Sequence, residues 1–299
     1  MVRIRSLLKG ISTAVNFNPK YDTIGGHRIR LAAGSRTLEY KRKCRLYDTA
    51  LGHIANVVRS KYLDLHAIDI GANVGDTAAL IRNVVDIPVL CVEGDPALLP
   101  ILKENAESLG PDVVIEPSFV GSEGQTADPD LIDDAGRNSS LIAASNHGGS
   151  IKFRSLQDIL RKHPAFLGAK LLKTDTEGFD FDILRGSLDF IRQARPVIFF
   201  EYDPHFRPNE PTSGLETINA LRNVGYSDFI YYDNFGHLLL RANATQLGAF
   251  ADLDSYLASN RRHGAVVYYF DVCAFHRDDA DLALLVKNDP GVTCGAPSE

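Results

Sequence analysis

The chain has 299 residues, of which 44% are hydrophobic and 23% charged, enough to bury a full core without metal or disulfide support. Its formal charge of −6 does not favour nucleic acid as a partner, because phosphate contacts need clustered Lys and Arg. No apolar run is long enough for a transmembrane segment, and the four cysteines lack C-x-x-C spacing, so we expect a reducing, cytoplasmic location.

The first part of the chain, residues 1–64, shows no alternation of strands and helices. Residues 21–31 alternate around the pair Gly25-Gly26, which is the pattern of a β-hairpin. Residues 45–61 place apolar side chains on one face and predict a helix. We therefore predict an N-terminal extension, a hairpin and a helix, that covers the sheet or serves as a lid.

From Leu65 onward, predicted strands and helices alternate, which indicates a doubly wound and mostly parallel sheet. The predicted strands are residues 65–70, 89–92, 113–115, 169–173, 197–200, 229–232 and 265–270. We predict one domain over residues 65–277 and a polar C-terminal tail over residues 278–299. The polar stretch 121–150 is too long for an ordinary loop, and we expect it to shape a ligand pocket together with the N-terminal extension.

Ligands of such sheets bind beyond the carboxyl ends of the strands. The first strand runs through Asp69 into a turn that contains Gly71 and Gly75 and leads directly into a helix, so a nucleotide-like ligand can approach the backbone there. Glu93 ends the second strand, and its carboxylate can accept hydrogen bonds from both hydroxyls of a ribose. A buried glutamate without a partner is costly, so we expect a ligand to be its partner. The pattern predicts a site for an adenosine-containing cofactor.

Four segments resemble the FkbM-type methyltransferase family. They are Asp69-Ile70-Gly71-Ala72-Asn73-Val74-Gly75, Val92-Glu93-Gly94-Asp95-Pro96, Leu172-Lys173-Thr174-Asp175-Thr176-Glu177-Gly178 with Ile183-Leu184-Arg185-Gly186, and Arg195-Pro196-Val197-Ile198-Phe199-Phe200-Glu201. The third segment, K-x-D-x-E-G followed by L-R-G, is the most diagnostic. The resemblance implies an α/β, Rossmann-like class I methyltransferase with S-adenosylmethionine (SAM) as its cofactor. It also implies a seven-stranded sheet whose last strand is antiparallel.

The resemblance further implies a cofactor site built from the loops after the first three strands. Its residues are Asp69, Gly71, Ala72, Asn73, Gly75, Glu93, Asp95, Ser118 and Phe119. The glycine loop would line the methionine and ribose of SAM, with Asp69 organising that loop or meeting the amino group. Glu93 would bind the ribose diol, with Asp95 beside it. Ser118 and Phe119 stand where class I enzymes contact adenine.

Three residues are candidates for the catalytic side of the site. Asp175 and Glu177 follow the fourth strand directly, where they can orient an acceptor, remove its proton or bind a divalent cation. No His/Asp spacing requires a metal, and we predict none. His205, just beyond the fifth strand, has the ordinary pKa best suited to a base, although a surface histidine has the same signature. Asp180 and Asp182 are interpreted as charges that favour a helix N-terminus.

The resemblance implies methyl transfer from SAM to a hydroxyl of a small-molecule acceptor, either a sugar, a glycolipid or a secondary metabolite. Two alternatives stay open. An NAD- or nucleotide-sugar-binding oxidoreductase uses a related sheet, but its turn is G-x-G-x-x-G and this one is G-x-x-x-G. A catalytically inactive SAM-fold protein that binds a partner would carry the same motifs. Nothing in the sequence predicts the oligomeric state.

Overall fold

The structure is a computed structural model, which describes residues 20–32, 35, 44, 46, 49–121, 153–176, 178–206, 213–262 and 266–288. The strands are β1 (Tyr21–Ile24), β2 (His27–Arg30), β3 (Ala67–Ile70), β4 (Val89–Glu93), β5 (Val113–Pro117), β6 (Phe119–Val120), β7 (Phe153–Arg154), β8 (Leu171–Thr174), β9 (Val197–Tyr202), β10 (Tyr226–Asp233), β11 (Leu238–Asn243) and β12 (Phe270–His276). The helices are α1 (Thr49–Lys61), α2 (Asp76–Val84), α3 (Leu99–Leu109), α4 (Leu156–Lys162), α5 (Asp180–Gly186), α6 (Leu188–Ala194), α7 (Ser213–Asn223), α8 (Leu247–Arg262) and α9 (Ala280–Asn288).

The central sheet has the strand order β11-β10-β12-β9-β8-β3-β4-β5. Strands β5, β4, β3, β8 and β9 are parallel, whereas β12 runs antiparallel between β9 and β10. The α/β class I fold is therefore confirmed, but in the described part of the chain the sheet has eight strands and not seven. The extra strand is β11, which follows a tight turn at Gly236 and pairs with β10 as a hairpin at the edge of the sheet.

The seventh predicted strand, residues 265–270, is wrong in position, because β12 begins where that prediction ends. Asp271 interrupts the apolar pattern of β12, and for this reason the strand was not predicted at its true position. Val272 and Ala274 nevertheless point to one core cluster, and Cys273 and Phe275 to the other, as the two-residue period of a strand requires.

The N-terminal hairpin forms at the predicted place, and the helix after it begins at Thr49. The hairpin is fixed to α3 by Asn105, whose Oδ1 accepts from the Arg30 N–H at 2.8 Å and whose Nδ2 donates to the Arg30 carbonyl at 2.9 Å. Arg30 also forms an ion pair with Glu104 at 2.6 Å. The division into an extension, a domain and a tail stays a prediction.

Among the described residues, the hydrophobic core forms two clusters, one on each face of the sheet. One cluster lies under α4 to α8, and the other under α1, α2, α3, α9 and the N-terminal hairpin. Within the described ranges, no helix combines the length and apolarity that crossing a membrane requires.

The predicted polar tail from residue 278 is not uniformly polar in the structure. Helix α9 buries Leu282, Ala283 and Val286 in the second core cluster. Lys61 on α1 forms ion pairs with Asp279 at 2.9 Å and with Asp281 at 2.8 Å, just before and within α9. Charged residues around the buried ones made this segment look like a solvated tail in the sequence. Residues 289–299 lie outside the described part.

The substitution Leu282→Ala tests the packing of α9. Leu282 is 1% exposed, so we expect its truncation to lower the free energy of unfolding by about 2–5 kcal/mol. Leu285, which is 52% exposed on the same helix, is the matched control, and Leu285→Ala should change it by less than about 0.5 kcal/mol. Urea unfolding measures both. Equal effects of the two substitutions would show that α9 does not pack as described.

Candidate cofactor site at the carboxyl edge of the sheet

The loop after β3 has an unusual backbone. Gly71, Asn73 and Gly75 all have positive φ angles, of 76°, 50° and 84°. The N–H groups of Gly71 and Ala72 donate to the Val92 carbonyl at 3.0 and 3.1 Å, which fixes the loop against β4. The positive φ angles turn the chain sharply between β3 and α2, and the Gly75 N–H donates to the Ala72 carbonyl at 2.7 Å, so the segment is a tight, internally bonded loop at the start of a helix. We name residues 71–75 the cofactor loop.

Gly71 is enclosed on the side of β8. A Cβ atom at this position would lie only 1.9 Å from the carbonyl oxygen of Asp175. The loops after β3 and β8 therefore touch through their backbones, which glycine alone permits. At Gly75 a Cβ would meet Leu102 Cδ1 at 2.9 Å, so the far end of the cofactor loop is also closely packed, against α3.

Glu93 contacts the cofactor loop directly. Its Oε2 accepts from the Asn73 N–H at 2.8 Å, and its Oε1 accepts from the Asp95 N–H at 2.7 Å. Burial raises the pKa of Glu93, and these backbone donors oppose the rise. Glu93 is not without a protein partner, because the backbone supplies two donors, and its contact with a ribose stays a prediction. Each carboxylate oxygen keeps a further lone pair, so Glu93 can both shape the loop and accept from a ribose.

Asp95 has a local structural task. Its Oδ1 accepts from the Ala97 N–H at 2.8 Å, and its carbonyl accepts from Leu98 and Leu99, which closes the turn before α3. The side chain is buried beside Glu93. Asp95 therefore supports the Glu93 end of the site through the turn that it closes.

Glu116, at the end of β5, holds the residues that were predicted to face adenine. It accepts from Ser118 Oγ at 2.8 Å and from Lys162 Nζ at 2.6 Å, and it lies 2.9 Å from His163 Nε2. Burial alone would raise the pKa of Glu116, but the hydrogen bonds from Lys162 and His163 outweigh it and lower the pKa to about 2. Ser118 thus donates its hydroxyl proton to a carboxylate and keeps only acceptor capacity for a ligand.

Phe119 lies against the backbone of Gly94. A Cβ at Gly94 would lie 2.3 Å from Phe119 Cγ, so the ring covers the turn that follows Glu93. The ring also contacts Phe153, at 6.0 Å between centroids, and Phe153 contacts Phe179 at 5.5 Å. The structure therefore places an aromatic surface beside Glu93, and the contact of Phe119 with adenine stays a prediction.

Asp69 lies beneath the cofactor loop, fully buried, and pairs with a lysine. Lys173 is its direct neighbour in the β3–β8 register, and Lys173 Nζ lies 3.1 Å from Asp69 Oδ1. Burial raises the pKa of Asp69, and Lys173 opposes the rise. Desolvation alone would lower the pKa of Lys173, but Asp69 and Asp175 outweigh it and raise the pKa. The two groups form a buried ion pair, and of the two predicted roles of Asp69 the geometry matches loop organisation.

Asp180 organises the loop after β8. It accepts from Thr174 Oγ1 at 2.5 Å and from the N–H groups of Thr176 at 3.2 Å and Gly178 at 3.4 Å. Burial and the nearby Asp175 raise the pKa of Asp180 to about 6. Its interpretation as a simple helix N-terminal charge is therefore incomplete, because the side chain bonds backward to the loop and not to the first turn of α5.

The candidate catalytic residues lie on adjacent strand ends. Asp175 follows β8, its side chain is 53% exposed, and its Oδ2 lies 3.7 Å from Lys173 Nζ. His205 lies in the turn after the neighbouring strand β9, where its backbone N–H donates to Asp203 Oδ1 at 2.9 Å. Glu177 lies outside the described residues. The structure thus brings Asp175 to the cofactor loop and places His205 one strand away.

Glu201 is a further carboxylate at this edge. It stands opposite Asp271 in the β9–β12 register, and its Oε2 is buried with no hydrogen-bond partner in the part of the chain that the structure describes. Burial, followed by the carboxylates of Asp175 and Asp180, raises the pKa of Glu201 well above its ordinary value. Among the described residues, no group of three or more His, Cys, Asp or Glu side chains is arranged to hold a metal ion.

The sequence analysis assigned no role to three residues that lie beneath the site and contact its loops: Lys173, Asn105 and Glu116. Lys173 interrupts an apolar strand next to Asp69, and Asn105 interrupts the apolar face of α3. Asn105 Nδ2 donates to the Val74 carbonyl of the cofactor loop at 2.7 Å. In both cases the sequence signal was a polar residue within an otherwise apolar strand or helix face. Glu116, a charged residue near the end of the apolar strand β5, gave a similar signal.

Comparison with known proteins identifies the family. The model of the methyltransferase FkbM domain matches residues 69–227, a span that contains the end of β3, the cofactor loop, Glu93 and the loop after β8. The chain belongs to the FkbM methyltransferase family. The cofactor of this family is SAM, and the left-handed loop, the Glu93 carboxylate and the aromatic cover of Gly94 fit such a cofactor. No curated protein matches the chain.

Several solved structures resemble this family member. An FkbM methyltransferase from Methylobacillus flagellatus KT is 18% identical with a TM-score of 0.40, over 56% of this chain and 40% of that one. TYW2 from M. jannaschii, in complex with AdoMet, is 12% identical with a TM-score of 0.39, over 91% and 90%. Aeropyrum pernix fibrillarin with bound S-adenosyl-L-methionine is 10% identical with a TM-score of 0.35, over 55% and 58%. This chain thus spans less than half of the Methylobacillus protein.

The substitution Gly71→Ala tests the contact between the two loops. The added methyl group would overlap the Asp175 carbonyl in a left-handed backbone, so we expect the free energy of unfolding to fall by more than about 2 kcal/mol. Gly248, around which a Cβ would meet nothing within 4 Å, is the matched control. Gly248→Ala should be neutral or stabilising by up to about 1 kcal/mol, since this glycine lies in a helix. A tolerated Gly71→Ala in urea unfolding would contradict the loop contact.

The substitution Glu116→Gln tests the ion cluster at the end of β5. A carboxylate with a lowered pKa stabilises the fold above its ordinary pKa of 4.5, and this contribution is lost as the pH falls toward about 2. We expect the variant to be less stable at pH 7 by on the order of 1 kcal/mol, and the difference to shrink between pH 5 and pH 2. Glu107→Gln, at an exposed position, is the control. Urea unfolding at several pH values measures the difference in free energy of unfolding between the variant and the wild type. A difference that does not depend on pH would contradict the ion cluster.

Proposed function

We propose that the protein is a SAM-dependent O-methyltransferase that acts on a hydroxyl group of a sugar, a glycolipid or another small secondary metabolite. The observation that carries the proposal is the position of Glu93. Its carboxylate contacts the cofactor loop at Asn73, and that loop touches the Asp175 loop through Gly71. A ribose-binding group and a solvent-accessible carboxylate thus belong to one connected site.

When bound, SAM supplies a methyl group on a sulfonium that is already a good leaving group. The residues of the chain must therefore bind and orient an acceptor oxygen and remove its proton. Asp175 is the first candidate for both tasks, because it is half exposed at the strand end next to the cofactor loop. His205 and Glu177 are the other candidates for the base, on the strand end beside Asp175 and in its own loop.

The charges at this edge support binding of a cationic cofactor. Asp69 and Asp175 bring two carboxylates to the single ammonium group of Lys173, which leaves one negative charge on the cluster. A sulfonium cation is favoured beside a partly buried negative charge, since such charges are poorly screened by water. Glu201 adds a titratable carboxyl group at the neighbouring strand.

The test of the proposal is formation of S-adenosylhomocysteine from SAM in the presence of candidate acceptors. Free sugars, glycolipids and polyketide-like alcohols form the panel, and each is paired with an analogue in which the hydroxyl groups are replaced by hydrogen. We expect product with at least one hydroxylated acceptor and none with its deoxy analogue. Equal turnover of an acceptor and its deoxy analogue would refute O-methylation, and binding of NAD in place of SAM would refute the cofactor.

The substitution Glu93→Ala tests the cofactor half of the proposal. It removes the acceptor of the Asn73 and Asp95 N–H groups and the proposed partner of the ribose, so we expect affinity for S-adenosylhomocysteine to fall about a hundredfold or more. Glu107→Ala, at an exposed position of α3, is the matched control and should bind normally. Isothermal titration calorimetry measures both, with circular dichroism to confirm folding. Unchanged affinity of a folded Glu93→Ala variant would sink the site assignment.

A further inference from the structure

Lys173 occupies an unusual place for a lysine. It lies on an inner strand of the sheet, it is 6% exposed, and it points to the same face as the apolar Leu171 two residues earlier. A buried ammonium group must be compensated by several partners, because desolvation strongly disfavours the charge. The partners of Lys173 therefore indicate the structural role of this residue.

Those partners belong to both halves of the proposed site. Lys173 Nζ lies 3.1 Å from Asp69 Oδ1 and 3.7 Å from Asp175 Oδ2, and it donates to the Gly71 carbonyl at 3.2 Å. Asp69 and Gly71 flank the end of β3, whereas Asp175 follows β8. Asp76, at the start of α2, adds a further favourable charge. One ammonium group thus bridges the cofactor loop and the candidate acceptor side.

The hydrogen bond from Lys173 to the Gly71 carbonyl is not needed for an ion pair with Asp69. Gly71 has a positive φ of 76°, and its carbonyl is turned toward Lys173 while its α-carbon rests against the Asp175 carbonyl. Neutralising Asp69 requires only the 3.1 Å contact. The additional hydrogen bond to the Gly71 carbonyl links the ammonium group to the conformation of the cofactor loop itself.

We propose that Lys173 is a positioning residue, which holds Gly71 and Asp175 in fixed relation so that the cofactor loop and the acceptor side form one geometry. This inference rests on the proposed function. Lys173 lies behind the loop and acts through Gly71 and Asp175. A displacement of about 1 Å between reacting groups lowers transfer rates by as much as a hundredfold, so a fixed relation between the two loops matters for transfer as well as for binding.

The test separates positioning from simple stabilisation by comparing a single variant with a double variant. Lys173→Met leaves Asp69 buried and unpaired, so we expect a lower melting temperature and a loss of affinity for S-adenosylhomocysteine of about tenfold to a hundredfold. Asp69→Asn together with Lys173→Met removes both charges at similar volume. We expect this double variant to regain most of the melting temperature, because neutral replacement of a whole buried ion pair is well tolerated.

The affinity of the double variant decides. If Lys173 positions the loop, the double variant stays at least about tenfold weaker for S-adenosylhomocysteine although its stability has returned, because the Gly71 carbonyl still lacks its donor. If affinity returns together with stability, to within twofold of the wild type, Lys173 only neutralises Asp69 and the inference is overturned. A double variant that stays unstable is compared with Lys173→Arg, which keeps the charge, and affinity that simply follows the melting temperature across all variants overturns the inference as well.

The outcome for the wild-type protein separates this inference from the proposed function. Wild-type protein that binds no S-adenosylhomocysteine overturns both. Wild-type binding that is lost in Glu93→Ala but unaffected in Lys173→Met overturns only the role of Lys173. Where an active acceptor is found, the KM for SAM and the kcat of Lys173→Met should both change, since the residue contacts both loops.

Discussion

The rest of the site depends on the absence of a side chain at Gly71. The α-carbon of this residue lies so close to the Asp175 carbonyl that a Cβ would overlap it at 1.9 Å. Two loops on neighbouring parallel strands thereby share one boundary, and neither can move far without the other. Asn73 and Gly75 also have positive φ angles, and the Asn73 N–H donates to Glu93, so the loop is fixed on the side of β4 as well.

Charged groups beneath the loops stabilise their positions. Lys173 and Asp69 pair beneath the loop, and Glu116 fixes the turn after β5 through Ser118 and Lys162. Buried charges are expensive when one partner is missing, so each pair is sensitive to any shift of its strand end. The carboxyl edge is therefore held by several ion pairs and hydrogen bonds around the cofactor loop, while the Asp175 side chain is half exposed at its margin. This division matches a site that must fix one reactant and admit another.

The sequence predicted the parallel half of the sheet well, because buried strands between helices read as short apolar runs. It failed where polar residues break that pattern, as Asp271 does in β12, and where a hairpin adds β11 at the edge. Within the site, the cofactor loop and Glu93 were predicted from spacing and resemblance, and both lie at the carboxyl ends of neighbouring parallel strands. The partners of Glu93 could not, because they are backbone N–H groups. Lys173 was visible as the lysine of K-x-D-x-E-G in an otherwise apolar strand, but its role could not be predicted, because its contact with Asp69 depends on strand register.

The central claim is that the loops after β3, β4 and β8 form one SAM site with the acceptor side at Asp175. A crystal structure of the protein with S-adenosylhomocysteine tests it most directly. The account predicts that the ribose hydroxyls lie within hydrogen-bond distance of Glu93, that the adenine lies beside Phe119, and that the sulfur faces Asp175. A ligand bound away from the carboxyl edge, or one whose sulfur faces away from Asp175 with Glu93 still bonded only to Asn73 and Asp95, would contradict it.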